Sequence, residues 1–370
     1  MMYGNDDRVV MTLDAGGTNF VFSAIRGYKV IVEPVCLNAV TDNIERCLQA
    51  LVDGFRMVET ALGDVKPAAI SFAFPGPADY ERGIIGDLPN FPCFRGGVAM
   101  GPFLSDIFGI PVFINNDGNL FAYGEALSGV LPEINSKLAQ AGSSKRYRNL
   151  LGLTLGTGFG GGAVIDGHLL VGDNGCGGDV WLMRNVRYPG LISEESVSIR
   201  AVQRVYHENA PDDTRDLSPK DIFMIAEGKA EGSPSAARRA FEELGRAAAD
   251  AVIHATDILD GIIVFGGGLA NAWKYIFPSL AEEMNSRFGT FSGDFFPCLQ
   301  MKVFDLTTDE GMDEFLKDNS KKVTVPGSGR EVLYCNEKKT GVTVSRIGTS
   351  TAISFGAYAF ALAQIDRQRL

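Results

Sequence analysis

The chain has 370 residues, 45% of them hydrophobic and 21% charged, with a formal net charge of -11. That length exceeds what one core usually organises, so two domains are expected, and the composition excludes a disordered or fibrous chain. The acidity argues against nucleic acid or an anionic membrane as a main partner. No apolar run approaches a membrane span and residues 1–10 carry no apolar signal core, which makes a cytoplasmic location the expectation.

The first apolar run, 9–13, meets Asp14-Ala15-Gly16-Gly17-Thr18-Asn19 and resumes over 20–25. Strand, glycine turn and strand read as a β-hairpin, with a third strand at 30–32. Glycines let backbone approach a ligand closely, and successive N–H groups in such a turn form an anion-binding concavity. Thr18 adds a hydroxyl, and Asp14 at the strand end suits Mg²⁺ held through water. The same residues also suit a plain tight hairpin.

Ile44, Cys47, Leu48, Leu51, Val52 and Phe55 recur at helical spacing, which predicts an amphipathic helix within 42–62. A buried strand over 68–74 stops at Pro75-Gly76-Pro77. Another, 110–114, stops at Asn115-Asn116-Asp117-Gly118, and 120–127 continues as a helix with Asn119 or Asp117 near its cap. Asp117 therefore reads as a helix cap or as a base for an attacking hydroxyl, with Asn116 orienting the substrate. A carboxylate of pKa about 4 suffices for phosphoryl transfer, where positioning and charge stabilisation supply most of the rate.

The opening pattern returns at 151–155, which runs into Gly156-Thr157-Gly158-Phe159-Gly160-Gly161-Gly162 and a further strand at 163–165, a weak internal duplication. Five glycines in seven positions exceed the needs of a hairpin turn, although a bulge would also use some. Neither loop is a P-loop or a dinucleotide fingerprint. Helices are predicted at 197–207 and 234–257. A strand at 261–265 opens into Gly266-Gly267-Gly268 and a helix from about 271. That third turn suits a nucleotide base or ribose lying on backbone, or simply close strand–helix packing. Part of residues 288–345 reads as an extra β-rich excursion, the stretch having no assigned role, and 352–362 as a closing helix.

Cys36, Cys47, Cys93, Cys176, Cys298 and Cys335 show no ligand spacing and read as free thiols. His168, His207 and His254 are equally scattered, so no zinc signature is present.

Taken in order, Asp-x-Gly-Gly-Thr, Asn-Asp, Gly-Thr-Gly-x-Gly-Gly-Gly and Gly-Gly-Gly resemble the ROK family of sugar kinases and repressors, and the segment 116–126 looks like that family's catalytic segment. The resemblance spans about 9–286 and 346–362. It implies an α/β, two-domain actin-like ATPase (ribonuclease H-like) fold, each domain a mixed sheet flanked by helices. The N-terminal domain would be 1–115 with 348–370, and the C-terminal domain 116–347. It implies ATP and Mg²⁺ as cofactors, with phosphate and nucleotide held by Asp14, Gly16, Gly17, Thr18, Thr157, Gly158, Gly266, Gly267 and Gly268. It implies Asp117 as the base, and Gly76, Asn90, Asn116, Asp117, Asp179 and Glu194 as sugar-binding, with Glu195 an alternative to Glu194. Domain closure would expel water. The family's Glu and zinc-motif His are replaced by Asp179 and Leu182, and its zinc cysteines are absent, so a zinc-free member is expected.

The reading is thus an ATP-dependent kinase of a hexose, glucose first, with fructose, mannose and N-acetylhexosamine open. An inactive sugar sensor of the same family is the alternative. A repressor would need a helix-turn-helix, and thirteen residues before Asp14 are too few. A homodimer is expected by resemblance alone.

Overall fold

Within this computed structural model residues 2–15, 19–40, 42–87 and 92–368 are described. Gly16, Gly17, Thr18 and Asn90 lie outside them. A nearly continuous apolar run makes the opening segment a strand buried on both faces, β1 (Val9–Ala15). It turns back as β2 (Asn19–Arg26), against which β3 (Lys29–Val30) and β4 (Val35–Asn38) both pair. α1 (Ile44–Leu62) begins at Asn43, whose side chain accepts from the Arg46 amide. Next come β5 (Pro67–Ala73), β6 (Ala78–Asp79), β7 (Ile84–Ile85), α2 (Met100–Phe108), β8 (Val112–Asn115), α3 (Asp117–Leu127) and α4 (Val130–Gln140). β9 (Leu150–Leu155), β10 (Phe159–Ile165) and β11 (His168–Leu169) carry the second glycine run.

Three helices, α5 (Ile199–Asn209), α6 (Pro219–Ala226) and α7 (Pro234–Leu259), precede β12 (Ile262–Gly266) and α8 (Trp273–Met284). Then follow β13 (Arg287–Gly289), β14 (Phe295–Pro297), β15 (Lys302–Asp305), α9 (Asp309–Leu316), β16 (Lys321–Thr324), β17 (Glu331–Tyr334), β18 (Lys339–Val344) and α10 (Thr349–Arg367). Among the described residues no helix is long and apolar enough to cross a membrane.

The chain forms two compact units. The first comprises Met1–Pro132, Gly162–Gly178 and Ser345–Leu370, and the second Glu133–Gly161 and Asp179–Val344. In the first, the sheet order is β3-β2-β1-β5-β8, with β1, β5 and β8 parallel. Alternation sends Met11, Leu13, Phe22 and Phe72 to one face, where they bury Phe55 of α1 and Leu104 of α2. α10 covers the other face and also packs along α3. Two glycines permit that helix contact. A Cβ on Gly124 would lie 1.9 Å from the Ala352 carbonyl oxygen, and one on Gly356 would lie 1.8 Å from that of Leu120. Because α3 is bound to α10, residues 116–132 belong to the first unit, where the sequence placed the start of the second domain.

In the second unit β9, β12, β18 and β15 run parallel in that order, and α5, α6 and α8 pack around α7. The 288–345 stretch divides between sheet and excursion. β15 and β18 are sheet strands, and the hairpins β13-β14 and β16-β17 stand outside the sheet.

Candidate active site

In the first unit the parallel register aligns Leu13 with Phe72 and Phe72 with Ile114. Asp14, Gly76, Asn116 and Asp117 thus stand at one edge of the sheet, the carboxyl ends of β1, β5 and β8. Two strand spacings of about 4.8 Å separate the first strand from the last. Open α/β sheets bind ligands at such an edge. Asp14 is half-buried and Gly76 exposed.

The turn from β8 into α3 is built by asparagines. Asn115, buried to 1% exposure, accepts through Oδ1 from the Asn116 amide at 2.7 Å and from Asn119 Nδ2 at 3.0 Å. Asn116 is extended, and its Oδ1 accepts from the Gly118 amide at 2.8 Å. The helix cap is therefore Asn116, not the Asp117 or Asn119 that the sequence suggested, because only Asn116 has the extended backbone that aims a side chain back at the first turn. Asp117 Oδ1 also accepts from the Gly118 amide, at 2.9 Å.

The Asp117 carboxyl is open to solvent, yet protein crowds around it at longer range. That loss of bulk water raises its pKa above the ordinary aspartate value, against the opposing pull of the Gly118 and Asp117 backbone N–H groups. Beneath it, Gly162 packs on the same turn. A Cβ there would lie 2.6 Å from the Gly118 carbonyl oxygen and 2.7 Å from Asn119 Cα. The last glycine of the second run thus seats the helix that carries Asp117.

In the second unit Gly266 pairs with Thr154 across parallel strands, so 156–158 and 266–268 leave the sheet side by side. Gly267 has φ +86°, and a Cβ on it would fall 2.2 Å from the Leu155 carbonyl oxygen, so only glycine lets the two turns close on each other. Within the first, the Gly156 amide donates to the Gly158 carbonyl at 3.0 Å, and the Ile199 amide of α5 donates to the Gly156 carbonyl at 2.9 Å. Thr157 is exposed at the tip.

Glu194 reaches this turn. Its Oε2 accepts from the Phe159 amide at 3.0 Å, and a Cβ on Gly158 would come within 2.5 Å of that oxygen. Arg200 is the residue no motif announced. Its guanidinium lies 3.5 Å from Glu194 and 3.1 Å from Glu195, with Nη1 3.5 Å from the Thr157 carbonyl. It sets a fixed cation beside the glycine turn, and its sole sequence signal is an arginine in the first turn of the helix after Glu194. Asp179 precedes the short 3₁₀ turn Val180–Leu182, and partial burial raises its pKa against a hydrogen bond from Trp181. Among the described residues no three His, Cys, Asp or Glu side chains stand close enough together to hold a metal, and the six cysteines are free thiols.

The description "ROK family" belongs to the family model that matches residues 10–295. A solved structure, the glucokinase of Parabacteroides distasonis, is similar at 58% identity and a TM-score of 0.88, over 98% of this chain and 99% of that one. The glucokinase of Thermotoga maritima is 27% identical over 292 residues, 74% of this chain and 86% of the relative. The N-acetyl-D-glucosamine kinase of Photobacterium profundum is 26% identical over 296 residues, 74% and 87% of the two chains.

Proposed function

The chain belongs to the ROK family, and from that premise we propose that it transfers the γ-phosphoryl group of ATP to a hexose hydroxyl. The observation that carries this reading is Asp117, a solvent-open carboxylate at a strand-end turn whose helix is capped by its neighbour instead. Asp117 accepts the hydroxyl proton while the sugar oxygen bonds to the γ-phosphorus. The bond to the β,γ-bridging oxygen breaks, and ADP leaves. Its raised pKa brings the carboxylate nearer the operating pH and makes it a stronger base than an ordinary aspartate.

Asn116 spends its oxygen on the cap, which leaves its Nδ2 to orient the sugar. Gly76, Asn90, Asp179 and Glu194 are proposed to complete sugar recognition. The turns 156–158 and 266–268 are assigned phosphate and adenosine, and Gly16, Gly17 and Thr18 phosphate, through backbone N–H groups, while Arg200, itself paired with Glu194 and Glu195, stands beside the first of these turns. Asp14 offers the single hard carboxylate oxygen that Mg²⁺ uses alongside waters and phosphates, and the ion would neutralise the triphosphate. A reaction drawing on ATP and free sugar belongs in the cytoplasm.

The names of the Parabacteroides distasonis and Thermotoga maritima relatives favour glucose, and that of the Photobacterium profundum relative keeps N-acetylglucosamine in contention. The test is ADP release with ATP, Mg²⁺ and a panel of glucose, fructose, mannose and N-acetylhexosamines. Glucose is expected to give the highest kcat/KM. A different best sugar replaces glucose, and no sugar-dependent ADP at all defeats the kinase reading.

A further inference from the structure

Between Asp179 and Glu194, two residues proposed to meet the sugar, the chain makes a loop whose burial pattern is inverted. Val186 is 50% exposed, Tyr188 43% and Leu191 49%, whereas Asn185 is 2% exposed and is the one buried residue from 181 to 192. Apolar packing therefore does not hold this loop together. A carboxamide buried at its centre must instead find partners for two N–H donors and an acceptor oxygen.

It finds all of them inside the loop. Oδ1 accepts from the Arg187 amide at 3.0 Å and from the Tyr188 amide at 3.1 Å, which folds 185–188 into a turn. Nδ2 donates to the Ile192 carbonyl at 3.1 Å and to Ser196 Oγ at 2.8 Å. With N–H donors on one side and a carbonyl on the other, a single orientation of the amide satisfies the site. One side chain thus joins the outgoing limb of the loop, 185–188, to the returning limb, 192–196. The returning limb contains the 3₁₀ turn Ser193–Glu195, on which Glu194 sits. Its near end is pinned as well, because the buried Ser193 hydroxyl donates to the Val180 and Trp181 carbonyls at 2.8 and 3.0 Å. Arg200, the other group beside Glu194, is 53% exposed and 3.5 Å away, a weak tether by comparison.

We propose that Asn185 is a positioning residue: by tying the two limbs of this loop it fixes the turn that delivers Glu194 to the Phe159 amide and to Gly158. The glycine turn is in this way buttressed from outside the sheet. Glu194 Oε2 is occupied by that amide, and with the turn fixed Oε1 is held in one place for a sugar hydroxyl.

The test sets Asn185→Asp beside Asn185→Ala. Aspartate makes the 185–188 turn as well as asparagine does, but it places a second acceptor where Nδ2 donated, facing the Ile192 carbonyl. A residue that only shaped its own turn would tolerate aspartate, whereas a tie between the limbs is cut by both changes. Both variants are expected to speed deuterium exchange of the Phe159 amide by about tenfold or more, with exchange in β12 as in the wild type. Both should also raise the KM for the sugar by about tenfold or more while kcat stays within about threefold, the mark of binding lost equally from ground and transition states. An Asp variant whose Phe159 exchange matches the wild type overturns the proposal, and so does a loss confined to kcat. The kinetic half rests on the kinase reading and the exchange half does not. A wild-type chain without sugar-dependent turnover therefore defeats that reading and leaves exchange to decide this one. Should Asn185→Ala not fold, Asn185→Asp and Ser196→Ala, which removes the hydroxyl that accepts from Nδ2, carry the same comparison.

Discussion

In the first unit β1, β5 and β8 run parallel and end at Asp14, the 74–76 turn and Asn116-Asp117. In the second β9, β12 and β18 run parallel and end at Leu155, Gly266 and Val344. In each of the two larger sheets a strand that runs into a glycine run is followed by parallel strands added through helical crossovers, the pattern that the sequence shows faintly as a duplication. The chemistry at the two edges differs. The first edge carries carboxylates and asparagine amides, groups that accept protons and orient hydroxyls. The second carries glycine turns, beside which Arg200 pairs with Glu194 and Glu195.

The largest test of this division is removal of the base. Asp117→Ala is expected to cut turnover by about 10²–10⁴-fold or more, with the fold and ATP affinity retained because the Asn116 cap stays in place. Normal turnover in that variant would remove the first edge from the chemistry.

Glycine-to-alanine changes then separate the two edges with smaller effects. In Gly356→Ala the new methyl meets the Leu120 carbonyl, and in Gly267→Ala it meets that of Leu155 at a positive φ. Each is expected to destabilise the chain by about 2–4 kcal/mol, read as a lowered Tm. Their kinetic signatures should part. Gly356→Ala tilts the helix that bears Asp117 and lowers kcat, whereas Gly267→Ala spreads the paired turns and raises the KM for ATP. Identical kinetic profiles would mean that the edges do not divide the work.

The strand ends, the glycine runs and the position of Asp117 just after a strand were legible in the sequence because each is local: an apolar run that stops at turn residues announces itself. The amphipathic helices α1, α5 and α7 were legible for the same reason, their periodicity being intact. The helix from 130 to 140 and the one from 219 to 226 were missed, their apolar periods being short. What could not be read was long-range. Gly124 and Gly356 bring α3 and α10 together across more than two hundred residues, and nothing near residue 116 signals that its helix belongs with the first unit. β15 is four residues long and becomes a sheet strand only by pairing with β18, so which part of the 288–345 stretch is excursion did not show in the sequence. Arg200 is an ordinary helical arginine until Glu194 folds back onto the glycine turn.

The smallest effect concerns what the carboxylate costs the fold. Protein crowding around Asp117 at longer range raises its pKa in the folded chain, while the unfolded chain has the ordinary value of about 3.9. Between these two values the folded state holds more protons than the unfolded one, so stability falls as pH rises through that window and stays lower above it. Asp117→Asn keeps the oxygen that accepts from the Gly118 amide but has no charge to desolvate. Its Tm is therefore expected to exceed that of the wild type slightly at pH 8, with the gap closing as pH falls below the raised pKa. In the wild type the same titration should appear in catalysis, kcat/KM declining tenfold per pH unit below that pKa, at a pH above the ordinary aspartate range. An Asn variant no more stable than the wild type at pH 8, or an acid limb at the usual aspartate value, would mean that this carboxyl is solvated like any other. The first edge would then owe its chemistry to position alone.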